Sequence, residues 1–357
     1  MPIRITHALV GGVAAALYLL LTGCGTTTSV ARGSAGAVAS EEEQQQAAYM
    51  RTSWERQARL EDLSWPLLVA GRDLCKKDVS PRVGLAMISL DAVEKDYRKA
   101  AAKTLGIKEH PTVLHATRGA PAAMAGLQKG DEILSIAGEA IEPGRNATEK
   151  ANELLIETMR EGQPFEVTAR RNGQTLPLII DPVVACRYPV IMIQEDSINA
   201  FADGDAVYVT TGMYRFAQTD RELQLVLGHE IAHNAEGHSD KKWINWGLGT
   251  LVDLVAAAYG VNTQGAFGDA ASKVYSQDFE READYVGMYL LAAAGVDTTE
   301  AADFWRRMSA EYPQSIKGSY SASHPANAER WVNIDATNVE IAGKRGRGAA
   351  LVPARKR

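Results

Sequence analysis

The stretch LQLVLGHEIAHNAEGH, residues 223–238, constrains this chain more than any other. It sets His229 and His233 four apart around Glu230. On a helix that spacing puts two imidazoles one turn apart on one face, where both can reach a single ion, with a carboxylate beside them to take a proton. Thr219-Asp220-Arg221-Glu222 has the form of a capping box, Leu223, Val226, Leu227 and Ile231 supply an apolar stripe, and Gly237 supplies a stop. Two histidines hold a catalytic metal only when a third ligand arrives from elsewhere. The fold must therefore bring a second element to this helix.

The metzincin arrangement would take that ligand from the same stretch, with glycine at 236 and histidine at 239, but the chain has Glu236 and Ser239. A later helix is the other source. SQDFEREADYVGMYLLAAAG, residues 276–295, reads as one, ended by Gly295, with Glu280 and Asp284 one turn apart. Glu280 can complete the metal site, and Asp284 can accept the second N–H of a ligand histidine. Glu282 faces elsewhere and reads as solvated surface. His238, five residues past His233, falls on another helical side and also reads as surface, while His110 and His115 lie in a different domain.

His229-Glu230-x-x-His233 followed by Glu280-x-x-x-Asp284 resembles the gluzincin metallopeptidases that include the CAAX prenyl proteases, HtpX and periplasmic quality-control proteases. Asn199–Ala202, Val209–Met213, Ser323-His324-Pro325 and Arg330 match further motifs of that family in order, so the resemblance covers about residues 190–335. It implies one zinc ion per chain on His229, His233 and Glu280, with Glu230 as general base and an edge strand that pairs with an extended polypeptide substrate. It also places His324 in the active site, as a fourth ligand or an oxyanion donor, with Arg330 as its supporting charge or a second donor; a structural role for His324 stays open. Membrane members of the family carry several spanning helices. Here the internal apolar stretch 246–260 is short and contains Asp253, and it reads as a packed helix or a wall of the active site.

Residues 80–182 have another character. Strand patterns alternate with one helix, and Asn172-Gly173 marks a hairpin between FEVTARR and QTLPLII. Pro121–Asp131, PAAMAGLQKGD, resembles the matching phrase of HtrA-type bacterial PDZ domains. By that resemblance Arg82, Val83, Gly84 and Leu85 form the loop whose amides receive a peptide C-terminus; a spacer or lid role is the alternative. Cys75 and Cys186 flank the segment and can pair in an oxidising compartment.

The apolar run 8–21 reads as a signal-peptide core, and Leu21-Thr22-Gly23-Cys24 resembles a bacterial lipobox. Cys24 is then the lipidated N-terminus, and Gly25 resembles the pattern sorted to the outer membrane. The expected order is signal peptide 1–23, flexible tether 24–46, helical peptidase part 47–79 with a break near Pro66, PDZ domain 80–182, metallopeptidase domain 183–342 and a basic disordered tail 343–357. The fold class is α+β, a mostly helical zincin with a small edge sheet, interrupted by a β-rich insertion. A net charge of −6 gives no reason to expect nucleic acid as a partner. The expected function is a lipid-anchored periplasmic zinc endopeptidase acting on misfolded envelope proteins. The competing reading is a chaperone for outer-membrane proteins with suppressed proteolysis.

Overall fold

A computed structural model describes residues 33–239, 266–311 and 328–354. The signal segment 1–23, Cys24, the apolar stretch 246–260 and His324 lie outside the described residues. Helix α1 (Ala35–Ala70) begins inside the segment expected to be a tether and passes Pro66 without a break. Two expectations are corrected here. AGAVASEEEQQQAA contains strong helix formers, and extending a helix that is already nucleated costs little. At Pro66 one backbone bond is lost, but Leu60, Leu63, Trp65, Leu67 and Leu68 are buried on either side and hold the two halves in line.

After α1 the chain enters an inserted domain through β1 (Val79–Arg82) and leaves it through β8 (Val183–Cys186). These two strands pair antiparallel, Val79 against Cys186 and Arg82 against Val183. A Cys75–Cys186 disulfide closes the neck. Between them lie β2 (Leu85–Ile88), α2 (Arg98–Leu105), β3 (Thr112–Ala116), α3 (Pro121–Met124), β4 (Glu132–Ile136), β5 (Glu139–Ala140), α4 (Ala147–Arg160), β6 (Phe165–Arg171) and β7 (Gln174–Ile180). The sheet order is β2-β3-β4-β6-β7, with β5 on β4, so β2 is an edge. Asn172 (φ 51°) and Gly173 (φ 82°) make the two-residue turn between β6 and β7.

The Pro121–Asp131 phrase has a mechanical reason. Pro121 opens α3, and Asp131, only 1% exposed, is gripped at both oxygens by Arg171 (2.7 and 2.6 Å) and accepts the Gln128 amide. Arg171 also donates to the Gly126 carbonyl, so one guanidinium fixes the turn and the strand after it. Ile133, Ile136, Ala151, Val167 and Ile180 fill the core beneath.

The rest of the chain builds a second core. A small sheet, ordered β10-β11-β9, comprises β9 (Val190–Ile193), β10 (Ala200–Ala202) and β11 (Val207–Thr210). Helices α5 (Thr211–Phe216), α6 (Asp220–Ala235), α7 (Ala266–Ala293), α8 (Ala301–Glu311) and α9 (Ala328–Gly346) accompany it. Helices α6 and α7 cross closely at two glycines. A Cβ on Gly287 would meet the Gly228 carbonyl oxygen at 3.0 Å and the His229 nitrogen at 3.2 Å. That crossing sets the depth at which α7 meets α6.

The C-terminal end departs from the expected disordered tail. Helix α9 continues through Gly346, Arg345 donates to the Ala292 carbonyl, and Lys344 donates to the carbonyl of Val352. The amide of Ala354 donates to the Tyr285 hydroxyl. Lys344 and Arg345 sit where the helix dipole favours cations, so basic composition here reads as a helix end rather than as disorder.

Candidate metal centre

Thr219 caps α6 by accepting from the Glu222 amide at 3.2 Å. The return bond of the expected capping box is shifted by one residue, because Glu222 accepts from Gln218 and is held by Arg307. From this start His229, Glu230 and His233 fall on the buried side of α6. Helix α7 brings up Glu280 and Asp284, both buried.

His229 Nε2 and His233 Nε2 lie 3.1 Å apart, and each lies 3.3 Å from a Glu280 carboxylate oxygen. Two ligands about 2.1 Å from a tetrahedral ion stand roughly 3.4 Å apart, so the spacing fits zinc. The donor set, two imidazoles and one carboxylate, is that of an open zinc site. Behind it, Asp284 Oδ1 is 2.9 Å from His229 Nδ1.

Arg330 was expected to support His324 or to donate to an oxyanion. His324 lies outside the described residues, and what the structure shows is how Arg330 meets the residues around the triad. Arg330 is 2% exposed and grips Asp284 with Nε and Nη2 (2.7 and 2.8 Å), while Nη1 lies 3.1 Å from Glu280. Its charge is directed at the carboxylates that hold and back the ligands. Burial pushes the Asp284 carboxyl up, but Arg330 outweighs it and holds the group below its usual value. The same carboxylates keep the guanidinium firmly protonated against its own burial.

The two histidines differ. Burial pushes the His229 imidazole down, yet Asp284 and Glu280 outweigh it and hold it up at about 10. His233 has no Asp284 behind it, and burial leaves it below its ordinary value. A correction lies nearby, for His238 is 3% exposed and not at the surface. Gly237, at φ 65°, turns the chain out of helical register, so counting 100° per residue past it misplaces the side chain. His238 Nδ1 lies 3.0 Å from His233 Nδ1, and its Nε2 lies 3.0 Å from Glu282 Oε2. Glu282 is thus drawn into the site's surroundings, with 47% of its side chain exposed.

Sequence reasoning also missed Trp305 on α8. Its ring lies 5.2 Å from the His229 ring and 5.5 Å from the Arg330 guanidinium carbon, so it walls the ligand from the far side. A lone tryptophan in an amphipathic helix carries no signal of this. The glycines Gly228 and Gly287 could have been found, since each stands inside a helical pattern where glycine is costly.

Arg82, Val83, Gly84 and Leu85 do not act alike. Val83 is in the inserted domain's core, and Arg82 donates to the carbonyls of Cys186 and Tyr188, holding the neck. All four also line a cavity of about 220 Å³ between β2 and α4. Glu61, Trp65 and Leu68 of α1 form its other wall. Trp54 donates to the Leu114 carbonyl, and Asp62 accepts from the Arg118 amide while lying 2.7 Å from His115, so α1 is fastened along this domain.

Residues 182–338 match the family model of Peptidase family M48, and residues 81–181 match that of the PDZ domain. The chain is 28% identical over 162 residues to Mitochondrial metalloendopeptidase OMA1 of Arabidopsis thaliana, covering 43% of this chain and 32% of that one. It is 33% identical over 156 residues to Metalloprotease LoiP of Escherichia coli (strain K12), covering 41% and 60%. It is 30% identical over 180 residues to the Putative beta-barrel assembly-enhancing protease of Vibrio cholerae, covering 41% and 37%. The chain spans less than two thirds of the length of each of these relatives. A solved structure, HtrA-type protease AlgW with decapeptide, is 23% identical over 30% of each chain, with a TM-score of 0.22. The segment that matches the Peptidase family M48 model contains His229, His233 and Glu280.

Proposed function

We propose that this chain is a zinc-dependent endopeptidase of the cell envelope, held to a membrane through Cys24, that hydrolyses unfolded or misassembled polypeptides. The observation that carries the reading is the convergence of His229, His233 and Glu280, backed by Asp284 and Arg330 in a buried cluster. A zinc ion there would act as a Lewis acid toward a scissile carbonyl and make water a better nucleophile. Glu230, buried on the same helix between the two histidines, takes the proton of the attacking water and passes it to the leaving amine. Strand β10 is the edge of its sheet and packs beside α6, which suits pairing with an extended substrate. The enclosure of the PDZ cavity by α1 favours gating over free recruitment, because a peptide entering it must contact the helix that also packs into the peptidase core. The envelope placement rests on the Cys24 motif and on the likeness to the Putative beta-barrel assembly-enhancing protease of Vibrio cholerae.

The test uses the purified full chain in detergent with one equivalent of zinc and a reduced, unfolded protein as substrate. Glu230→Gln is expected to keep its zinc and to lose hydrolysis by at least about a hundredfold. Full activity in that variant overturns the general-base role. A wild-type chain that takes up no zinc overturns the whole reading.

A further inference from the structure

His233 and His229 are ligands of one kind held from behind in two ways. His229 meets a carboxylate at once, in Asp284. His233 meets a second imidazole, His238, with Nδ1 facing Nδ1 at 3.0 Å. The far nitrogen of that imidazole reaches Glu282 at 3.0 Å, and its ring stacks on Phe279 at 4.5 Å with planes 15° apart.

The positions of the protons follow from the donor inventory. His233 presents Nε2 toward His229 Nε2 and Glu280, so Nε2 carries the lone pair that meets a metal. A neutral imidazole with its lone pair there has its hydrogen on Nδ1. That hydrogen points at His238 Nδ1, which must therefore accept. His238 then carries its own hydrogen on Nε2 and donates it to the Glu282 carboxylate, which only accepts. With these bonds the tautomers of both rings follow with neither ring charged.

We infer that His238 is a positioning residue: it accepts the Nδ1 hydrogen of His233, fixes that ligand's tautomer and ring plane, and is itself oriented by Glu282. The inference rests on the zinc reading of the site. Partners of this kind raise the hold of a ligand on its metal, and their loss costs about 10- to 100-fold in affinity. Here the final carboxylate is one ring removed and half-exposed, whereas Asp284 is buried and anchored by Arg330. His233 is consequently the more readily released of the two histidines.

The test separates acceptor from packing in the full chain. His238→Phe keeps a ring on Phe279 and removes the acceptor; His238→Asn places an amide oxygen near the Nδ1 position without the ring. Zinc release to a chelator, the visible absorption of the cobalt-substituted protein, and the melting temperature of the metal-free protein are read for each. The expected result is zinc held about 10- to 100-fold more weakly in His238→Phe, with a changed cobalt spectrum and an unchanged metal-free melting point. His238→Asn should recover most of the affinity. Glu282→Ala, at a half-exposed position that does not threaten folding, should speed release by a smaller factor. Release and spectrum identical to wild type in both His238→Phe and Glu282→Ala overturn the inference. So does equal weakening in Phe and Asn that tracks a fallen metal-free melting point, which marks packing alone. A wild-type chain that binds no zinc overturns this inference together with the site reading, and is distinguished by that fact.

Discussion

In the inserted domain, Arg170 and Arg171 reach Glu132 and Asp131 from the surface; in the peptidase domain, Arg330 reaches Asp284 and Glu280 from within. The shortest bonds are alike, 2.5 and 2.6 Å in the first place and 2.7 and 2.8 Å in the second. Their surroundings differ. Arg170 and Arg171 keep 36% and 28% of their side chains in solvent, so water can replace them. Arg330 cannot be replaced by water. The first cluster therefore braces a turn, while the second holds the Asp284 carboxyl below its ordinary value in a place where burial alone would push it up.

The sharpest way to break this comparison is to remove one arginine from each cluster. Arg330→Met should destabilise the metal-free protein by about 3–5 kcal/mol, since it strands two buried carboxylates, and should abolish tight zinc binding. Arg171→Met should cost only about 1 kcal/mol, because Asp131 keeps the Gln128 amide and gains water. Urea unfolding of both variants checks the difference; equal costs would mean that burial is not what separates the clusters.

A second variant asks whether the buried cluster depends on the helix crossing. Gly287→Ala should push α7 off α6, costing on the order of 1–3 kcal/mol. Zinc should be held more weakly as Glu280 withdraws, and competition with a chelator measures it. Unchanged affinity would show that the ligands, and not the glycines, set the approach.

The smallest effect is in acid. Arg170 and Lys108 hold the Glu132 carboxyl down, at about 2 against an ordinary 4.5. A depressed carboxyl contributes stability that is complete above its unfolded value and is lost as pH falls through its folded one. The inserted domain should therefore lose about 2 kcal/mol or less between pH 5 and pH 2, given the partly exposed partners. Stability that is flat across that window would remove Glu132 from the account.

What the sequence made legible follows from period and proximity. His229, Glu230, His233, Glu280 and Asp284 could be placed because each pair lies within one unbroken helix, where 3.6 residues per turn decides the face. His238 could not, since Gly237 ends that period one residue before it. Arg330 was visible as a motif residue, yet its partner Asp284 sits 46 positions away on another helix, and only packing reveals which oxygens it meets. The β strands of the insertion were legible from alternation and from Asn172-Gly173. The attachment of α1 along that insertion was not, because Trp54 and Asp62 bond to atoms about 60 residues distant and carry no local pattern.

The neck has a consequence for the history of such a chain. Entry and exit of the insertion are partners on a ladder, and the Cα atoms of Cys75 and Cys186 stand 5.7 Å apart. From the host's side, a whole domain thus occupies the place of a hairpin turn. An ancestor could gain or lose it between β1 and β8 while β9 after it keeps its place, and α1 would give up only the bonds of Trp54 and Asp62 to the insertion. The inserted domain and the domain that holds the metal site are then free to be exchanged separately, in nature or by recombination at the bench.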